Sequence, residues 1–276
     1  MIHRSHWRLI AAAAVLIIAA LACNSPAEPA TTEAAQLPPA PTPTTAAEVP
    51  ATEAAPAQAT TIDGITLHLD PAVVTGGTAQ VIPAVSGEGG SIPEYRAVYL
   101  DGYPGGVGGF YTAQILLFPV DAYRQYGPGN TQIDMLQQII TAHSDQFPDP
   151  LPFMPVEDTV RTLRARIGYL DFQNGKGIRY LTGGGFANPI TNMNFLYVYQ
   201  GISTDGKYYV SAILPIAHPS LPPDDGQIPA EVQAAASSDF NAYIANLTQQ
   251  LESADAASFT PNLDLLDEMI KSMSVQ

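Results

Sequence analysis

The sequence FLYVYQGISTDGKYYVSAIL, residues 195–214, decides the fold class. Residues 195–200 and residues 208–214 are rich in aromatic and β-branched side chains, and they flank the pair Asp205-Gly206. An Asp-Gly pair between two such stretches is a strong hairpin signal, because glycine adopts positive φ without a steric penalty. We therefore predict an antiparallel β-hairpin over residues 195–214.

A second hairpin is predicted immediately before the first. Residues 162–172 and 178–182 are also β-like, and Asn174-Gly175 lies between them and favours a turn with positive φ. Cross-strand pairs of aromatic and β-branched residues stabilise a sheet. We therefore expect the two hairpins to lie side by side at the centre of an antiparallel sheet.

Three further strands are predicted towards the N-terminus, over residues 65–69, 95–100 and 110–120. Residues 86–93 are predicted to form a loop. The glycine-rich connection DGYPGGVGG, residues 101–109, lacks the GxxxxGK[ST] pattern of a phosphate-binding loop. We interpret this connection as a flexible turn or bulge.

Helices are predicted over residues 131–143 and over two C-terminal segments. From about residue 231 to residue 252, apolar side chains recur every three or four positions, which predicts an amphipathic helix covering one sheet face with Phe240 buried. Thr260-Pro261 predicts the N-cap and first turn of a last helix. The predicted fold class is α+β, with a mostly antiparallel sheet built from consecutive hairpins and covered by helices.

The N-terminal residues 1–22 have the features of a secretory signal peptide. Arg4 and Arg8 form a short basic region, and an apolar run of 14 residues extends from Leu9 to Ala22. This run is too short for a spanning helix, which needs about 20 apolar residues. The single cysteine of the chain, Cys23, follows directly.

The sequence Ala20-Leu21-Ala22-Cys23 resembles the lipobox of bacterial lipoproteins. The resemblance implies cleavage between Ala22 and Cys23, a lipid on the Cys23 sulfur, and attachment to the extracytoplasmic face of a cell membrane. Ala20 stands where leucine is commonest in that family. The alternative is an ordinary secretory signal followed by an incidental cysteine.

Residues 23–61 are predicted to form a lipidated Cys23 followed by a disordered linker. Residues 24–61 contain 12 Ala, 8 Pro and 8 Thr among 38 residues, with no glycine and no aromatic residue. Such a composition buries too little apolar surface to offset the entropy lost on ordering. Residues 62–276 are accordingly predicted to form one α+β domain.

Composition excludes several classes of protein. Hydrophobic residues make up 46% of the chain, which argues against a wholly disordered protein. The formal net charge of −15 argues against a nucleic-acid partner, because phosphates require Lys and Arg. One cysteine excludes an intramolecular disulfide framework.

No catalytic, cofactor-binding or metal-binding residues are predicted. His68, His143 and His218 are scattered and lack metal-ligand spacing, and no Gly-x-Ser-x-Gly motif is present. Asp224-Asp225-Gly226 is compatible with a calcium loop, but the full pattern of such a loop is missing, so a solvated turn is favoured.

Tyrosine is the one mild excess in composition, at 13 residues. Phe195, Tyr197 and Tyr199 are expected on one strand face, with Tyr180 and Tyr208 on neighbouring strands. Such a face could bind a sugar or a peptide. The favoured interpretation is a core face with hydroxyl groups at its rim.

The folded part resembles a family of uncharacterised secreted bacterial lipoproteins. The resemblance is carried by YLDFQNGKGIRYLT (169–182), YQGISTDGKYYVSAILPIAHPSLP (199–222) and LDLLDEMIKSM (263–273). More loosely, the pattern looks like a Mog1/PsbP-like α/β/α sandwich. Neither resemblance implies an activity.

The sequence favours a membrane-anchored extracytoplasmic lipoprotein whose domain binds or scaffolds rather than catalyses. The alternatives are an accessory subunit of an envelope or transport complex and a hydrolase with a dispersed active site. The protein or small-molecule ligand is left open.

Overall fold

The main sheet is antiparallel throughout and is built largely from neighbouring hairpins. The computed structural model describes residues 58–87, 90–105, 109–157, 159–184 and 188–276. The strands are β1 (Gln58–Ile62), β2 (Ile65–Leu69), β3 (Gly76–Ile82), β4 (Val85–Gly87), β5 (Gly90–Ile92), β6 (Tyr95–Asp101), β7 (Gln114–Pro119), β8 (Arg161–Tyr169), β9 (Gly175–Gly184), β10 (Phe195–Ser203), β11 (Tyr208–Pro215) and β12 (Ser274–Val275). Within the described residues, the main sheet has seven strands in the order β3-β6-β7-β11-β10-β9-β8. The predicted α+β class is confirmed.

The predicted hairpin over residues 195–214 is confirmed as β10–β11, with Tyr199 opposite Ala212. Gly206 has a φ of 73°, as the turn requires. The Asp205 carboxylate accepts hydrogen bonds from the Ser203 hydroxyl and the Lys207 backbone N–H. These bonds favour the charged carboxylate and lower the pKa of Asp205 to about 2.

The other predicted hairpin is confirmed as β8–β9, but its position and its turn differ from the prediction. β9 pairs with β10, whereas β8 forms an edge of the sheet, because β7 takes the free side of β11. Asn174 and Gly175 do not have positive φ. Gly175 is needed for space instead, because a Cβ there would lie 2.0 Å from the Phe172 ring.

Helices cover both faces of the main sheet. They are α1 (Val120–Tyr123), α2 (Gly127–Ala142), α3 (Ala230–Ser238), α4 (Phe240–Ser253) and α5 (Leu263–Ser272). Leu247, Leu251 and Leu266 join the core on one face, and Ile133 and Leu136 join the core on the other. The predicted covering of the sheet by helices is confirmed, and α2 covers the face opposite α4 and α5.

The single helix predicted from residue 231 to residue 252 is divided at Asp239. Asp239 has an extended backbone, and its carboxylate accepts the Ala242 N–H as the N-cap of α4. Phe240 is therefore the first residue of α4, where it is half-buried and contacts Tyr243. The prediction that Phe240 is a core residue is wrong, whereas Leu251 is fully buried.

The last helix also starts later than predicted. Asn262 is the N-cap of α5, and its side chain accepts the Asp264 N–H at 2.8 Å. Thr260, the predicted cap, instead exchanges backbone hydrogen bonds with Ala217. This pairing holds the segment before α5 beside the chain that leaves β11.

A small sheet of order β1-β2-β12 joins both ends of the described chain. Residues 58–61, which composition assigned to the linker, lie in β1 and pair with β2. The predicted domain start at residue 62 is therefore four residues late. The predicted signal peptide, Cys23 and the linker up to residue 57 lie outside the described residues.

The predicted loop over residues 86–93 contains a short hairpin instead. β4 and β5 pair with Val85 opposite Ile92, and both side chains are exposed. The glycines of this stretch predicted a loop, but each of the two short strands also contains one β-branched residue, Val85 or Ile92.

We expect Leu251→Ala to destabilise the domain and Phe240→Ala to be tolerated. Leu251→Ala leaves a cavity under α4 and should reduce the free energy of unfolding by about 2–5 kcal/mol. Phe240→Ala should cost about 1 kcal/mol or less, because the ring lies outside both cores. Urea denaturation of both variants measures the difference. Equal losses would contradict this assignment of the core.

Candidate functional site

A buried hydrogen-bond network fixes an irregular segment on the face of the main sheet. The Met154 N–H donates to Gln200 Oε1 at 3.1 Å, and the Ser211 hydroxyl donates to the Met154 carbonyl at 2.6 Å. Gln200 Nε2 donates to Ser211 Oγ, and the Tyr209 hydroxyl donates to Gln200 Oε1. The backbone around Met154 is thus satisfied without joining a strand.

A pocket of about 370 Å³ lies beside this segment. Its walls are the segment from Asp149 to Glu157, the side chain of Gln132 on α2, and strands β8 and β9. The pocket therefore lies on the same sheet face as α2. A cavity of this volume is in the range of small-molecule sites.

A β-bulge in β8 directs two arginine side chains into the pocket. Arg161 pairs with Gly184 and Leu163 pairs with Gly183, so Thr162 is an extra residue without its own partner. In a regular strand, residues 161 and 164 would point to opposite faces. Because of the extra residue, Arg161 and Arg164 both line the pocket.

Arg161 is held rigidly before any ligand arrives. Its guanidinium group lies 3.6 Å from the centre of the Phe153 ring. Arg161 Nη2 is 2.7 Å from Glu157 Oε2 and 3.0 Å from the Tyr111 hydroxyl. Burial raises the pKa of Tyr111, so its hydroxyl stays protonated and donates to Glu157.

Arg164 has a weaker set of partners. Its Nη1 lies 3.2 Å from Asp149 Oδ2, and its Nη2 donates to the Pro148 carbonyl at 2.6 Å. The Asp149 side chain is 77% exposed, so this ion pair contributes little to stability. Arg164 Nε is buried and meets no acceptor among the described residues.

The pocket has an apolar rim and a closed aromatic floor. Val156 and Val160 are both exposed at the rim. Tyr180 is buried at the floor, where its hydroxyl donates to the Pro152 carbonyl at 2.8 Å. Burial raises the pKa of Tyr180 above its usual value, so this hydroxyl remains a donor.

Two threonine hydroxyls, on Thr159 and Thr182, line the pocket. The lining contains no Ser, Cys or His side chain among the described residues. The Thr182 hydroxyl is committed to the Leu163 carbonyl at 2.8 Å.

The three histidines within the described residues lie on separate elements. His68 is exposed on β2, and His143 follows α2 with a φ of 44° and stacks on Tyr169 at 3.9 Å. His218 is buried between two hydroxyl groups, with Nδ1 2.6 Å from Ser220 Oγ and Nε2 3.0 Å from Ser258 Oγ. Among the described residues, no three His, Cys, Asp or Glu side chains are placed to hold a metal ion.

The two loop aspartates are engaged within the protein. Asp224 accepts hydrogen bonds from the Gly226 N–H and from the Gln227 side chain. Asp225 accepts the Thr191 hydroxyl at 3.0 Å. These contacts are typical of a closed turn, and they use carboxylate oxygens that a calcium ion would need.

The tyrosine-rich strand face is core, as favoured from the sequence, but the Tyr199 hydroxyl does not reach the rim and is buried with no hydrogen-bond partner among the described residues. Phe195, Tyr197 and Tyr199 are fully buried on one face of the main sheet, and Tyr180 belongs to the core on the other face. The Tyr197 hydroxyl donates to Asp267 on α5 at 2.8 Å. No ring of this set is free to stack on a ligand.

A wider groove of about 610 Å³ lies between β2 and α5. Its charged residues are largely engaged with each other, since Lys271 Nζ is 2.7 Å from Glu268 Oε1. The Ser272 hydroxyl accepts the His68 backbone N–H.

Sequence reasoning missed the pocket residues Asp149, Glu157, Arg161 and Arg164. A signal was present in RTLRAR, residues 161–166, which holds three of the 11 Lys and Arg residues of an acidic chain. Side chains along a regular strand alternate between the two faces of a sheet, which would place residues 161 and 164 on opposite faces. The bulge that brings both to one face depends on pairing with β9.

No protein-family model, curated protein or solved structure matches this chain. In the part of the chain that the structure describes, no helix is both long enough and apolar enough to cross a bilayer.

We expect the stability of the domain to fall as the pH drops below about 6.5. Burial, and secondarily the charge of Arg166, lowers the pKa of His218. Folding therefore favours neutral His218, and this contribution is complete above the unfolded pKa of about 6.5. It is lost as the pH falls towards the lowered folded value.

The melting temperature of wild type and of His218→Gln, measured from pH 8 to pH 5, tests this expectation. The Gln variant keeps polar atoms near both serines but cannot titrate, so its curve should be flatter below pH 6.5. Parallel curves would show that His218 does not contribute to the pH dependence.

Proposed function

We propose that this chain is a lipid-anchored extracytoplasmic binding protein. The signal peptide would direct export, Cys23 would carry the lipid, and the residues that follow would link the anchor to the α+β domain. The domain would bind a small ligand rather than catalyse a reaction. The observation that carries the binding function is the pocket at the β8 bulge, where Arg161 and Arg164 converge.

The arrangement of the pocket supports binding because its polar groups are positioned in advance. Arg161 is fixed by Phe153 and Glu157, so little side-chain entropy remains to be lost when a ligand binds. The wall around Met154 is fixed by the Gln200 network. Preorganised polar groups in a small concave site are typical of ligand-binding pockets.

A role as an accessory subunit is a second candidate, and one observation favours it. Val81, Val85 and Ile92 are exposed on the edge strand β3 and on the adjoining short hairpin. Exposed apolar residues grouped in this way mark surfaces that other proteins cover. This surface lies away from the pocket and is compatible with the binding function.

We expect Cys23→Ser to release the protein from membranes or to leave an uncleaved precursor. The serine oxygen cannot form the thioether that carries the lipid, so the variant loses the acyl chains, each buried methylene group of which contributes about 0.8 kcal/mol to membrane attachment. Fractionation of cells followed by mass measurement of the N-terminus detects both outcomes. Ser25→Ala serves as a control that should remain processed and membrane-bound. A Cys23→Ser protein that is cleaved and retained like wild type would contradict the anchor.

We expect small fragments to bind in the pocket at the bulge. Ligand-observed NMR with a library of anionic, neutral and cationic fragments can be run on the full chain. Val160→Trp should abolish most of the binding, because an indole at the rim would fill the mouth of the pocket.

Val85→Trp is the matched control, because Val85 is 57% exposed, Val160 is 58% exposed, and Val85 lies on the distant β4–β5 hairpin. Fragments that bind both variants as they bind wild type, or a complete absence of binding fragments, would refute the binding function.

A further inference from the structure

The pocket at the β8 bulge has more hydrogen-bond donors than acceptors. Arg161 and Arg164 each carry a fork of guanidinium N–H groups and no acceptor. The acceptors nearby are largely used, because Glu157 Oε2 already receives the Tyr111 hydroxyl and Arg161. Gln132 Oε1 receives the Phe153 N–H at 2.9 Å. A ligand that matches this pocket must therefore supply acceptor oxygens.

The contact between Arg164 and Asp149 is replaceable. The Asp149 carboxylate is mostly exposed to water already, so moving it away from Arg164 costs little free energy. Arg164 Nη2 already donates to the Pro148 carbonyl and Nε is buried, whereas Nη1 contacts the exposed Asp149 carboxylate. An incoming carboxylate that takes the place of Asp149 can accept a charge-assisted hydrogen bond from Nη1.

Other ligand chemistries fit the pocket less well. A sugar would need an exposed aromatic face, but Arg161 covers the Phe153 ring and Tyr180 is buried. A cation would need a carboxylate without a neighbouring positive charge, but Glu157 lies 2.7 Å from Arg161 and Asp149 lies 3.2 Å from Arg164. The remaining apolar surface is at the rim, on Val156 and Val160.

We propose that the pocket binds a small amphipathic carboxylate. The anionic head would lie against Arg164 in place of Asp149, and a short apolar body would lie against Val156 and Val160. This inference rests on the proposed binding function and adds the chemical class of the ligand. In the absence of ligand, the Asp149 carboxylate fills the position that the ligand carboxylate takes.

The test compares hexanoate with hexanamide, which has the same shape and no charge. Calorimetric titration of the full chain at pH 7 should show hexanoate binding at least about tenfold more tightly, since a charge-assisted contact replaces a neutral one. Arg164→Gln should remove this preference. Arg124→Gln is the matched control, because Arg124 forms an ion pair with Asp134 on a different element, and it should leave the preference unchanged.

Asp149→Asn provides a second variant that does not threaten folding, because the side chain is exposed. Removing the internal carboxylate should tighten hexanoate binding several-fold and leave hexanamide binding unchanged. Asp149→Asn therefore tests the proposal even if Arg164→Gln is destabilised.

The outcomes separate the ligand class from the binding function. Equal binding of hexanoate and hexanamide, or a preference that survives Arg164→Gln, would overturn the carboxylate while the pocket remained a binding site. Unchanged hexanoate affinity in Asp149→Asn would also overturn it. Failure of hexanoate to bind wild type and Asp149→Asn would refute the proposed ligand class, and the fragment experiment would then decide separately whether the pocket binds at all.

Discussion

The hydrogen bond between the Met154 backbone N–H and the side-chain amide of Gln200 is the contact on which the rest of the domain depends. Gln200 is buried at the centre of the main sheet, whereas Met154 belongs to no strand. Buried backbone groups need partners, and Gln200 and Ser211 supply them to Met154 where the irregular segment crosses the sheet face. The sheet centre thereby determines where the wall of the pocket lies.

Strand β8 serves the two faces of the sheet through two separate irregularities. The first, at Thr162, turns Arg161 towards the pocket. The second lies between Ala165 and Gly168, where Arg166 has a φ of 52° and donates hydrogen bonds to the carbonyls of Leu251 and Ala254 at the end of α4. An edge strand can accommodate both because it has only one neighbour with which to keep register. The same strand therefore anchors a helix on one face and shapes the pocket on the other.

Local signals predicted the hairpins, whereas contacts between distant segments determined what the sequence could not predict. Asp205-Gly206 acts within its own turn, so the β10–β11 hairpin followed from a few residues. The edge position of β8 depends on β7 pairing with β11 across many residues of chain. Asp239 has a side chain typical of an N-cap, but the helical spacing of apolar residues continues across it, so one uninterrupted helix was predicted. The pocket depended on a bulge that only the pairing with Gly183 and Gly184 creates, which alternation in the sequence does not reveal.

The pairing of β1 with β2 has a mechanical consequence. Gln58 lies opposite Leu69, so the N-terminal end of β1 and the end of β2 that continues into the domain are neighbours. Tension applied to the chain before residue 58 would separate these neighbours first and open the hydrogen bonds between the two strands one pair at a time. β12 pairs with β2 and not with β1, and β1 is not part of the main sheet. Under load, β1 could therefore separate from β2 and add its residues to the extended chain that precedes the domain. The seven-stranded sheet and its pocket would keep their shape.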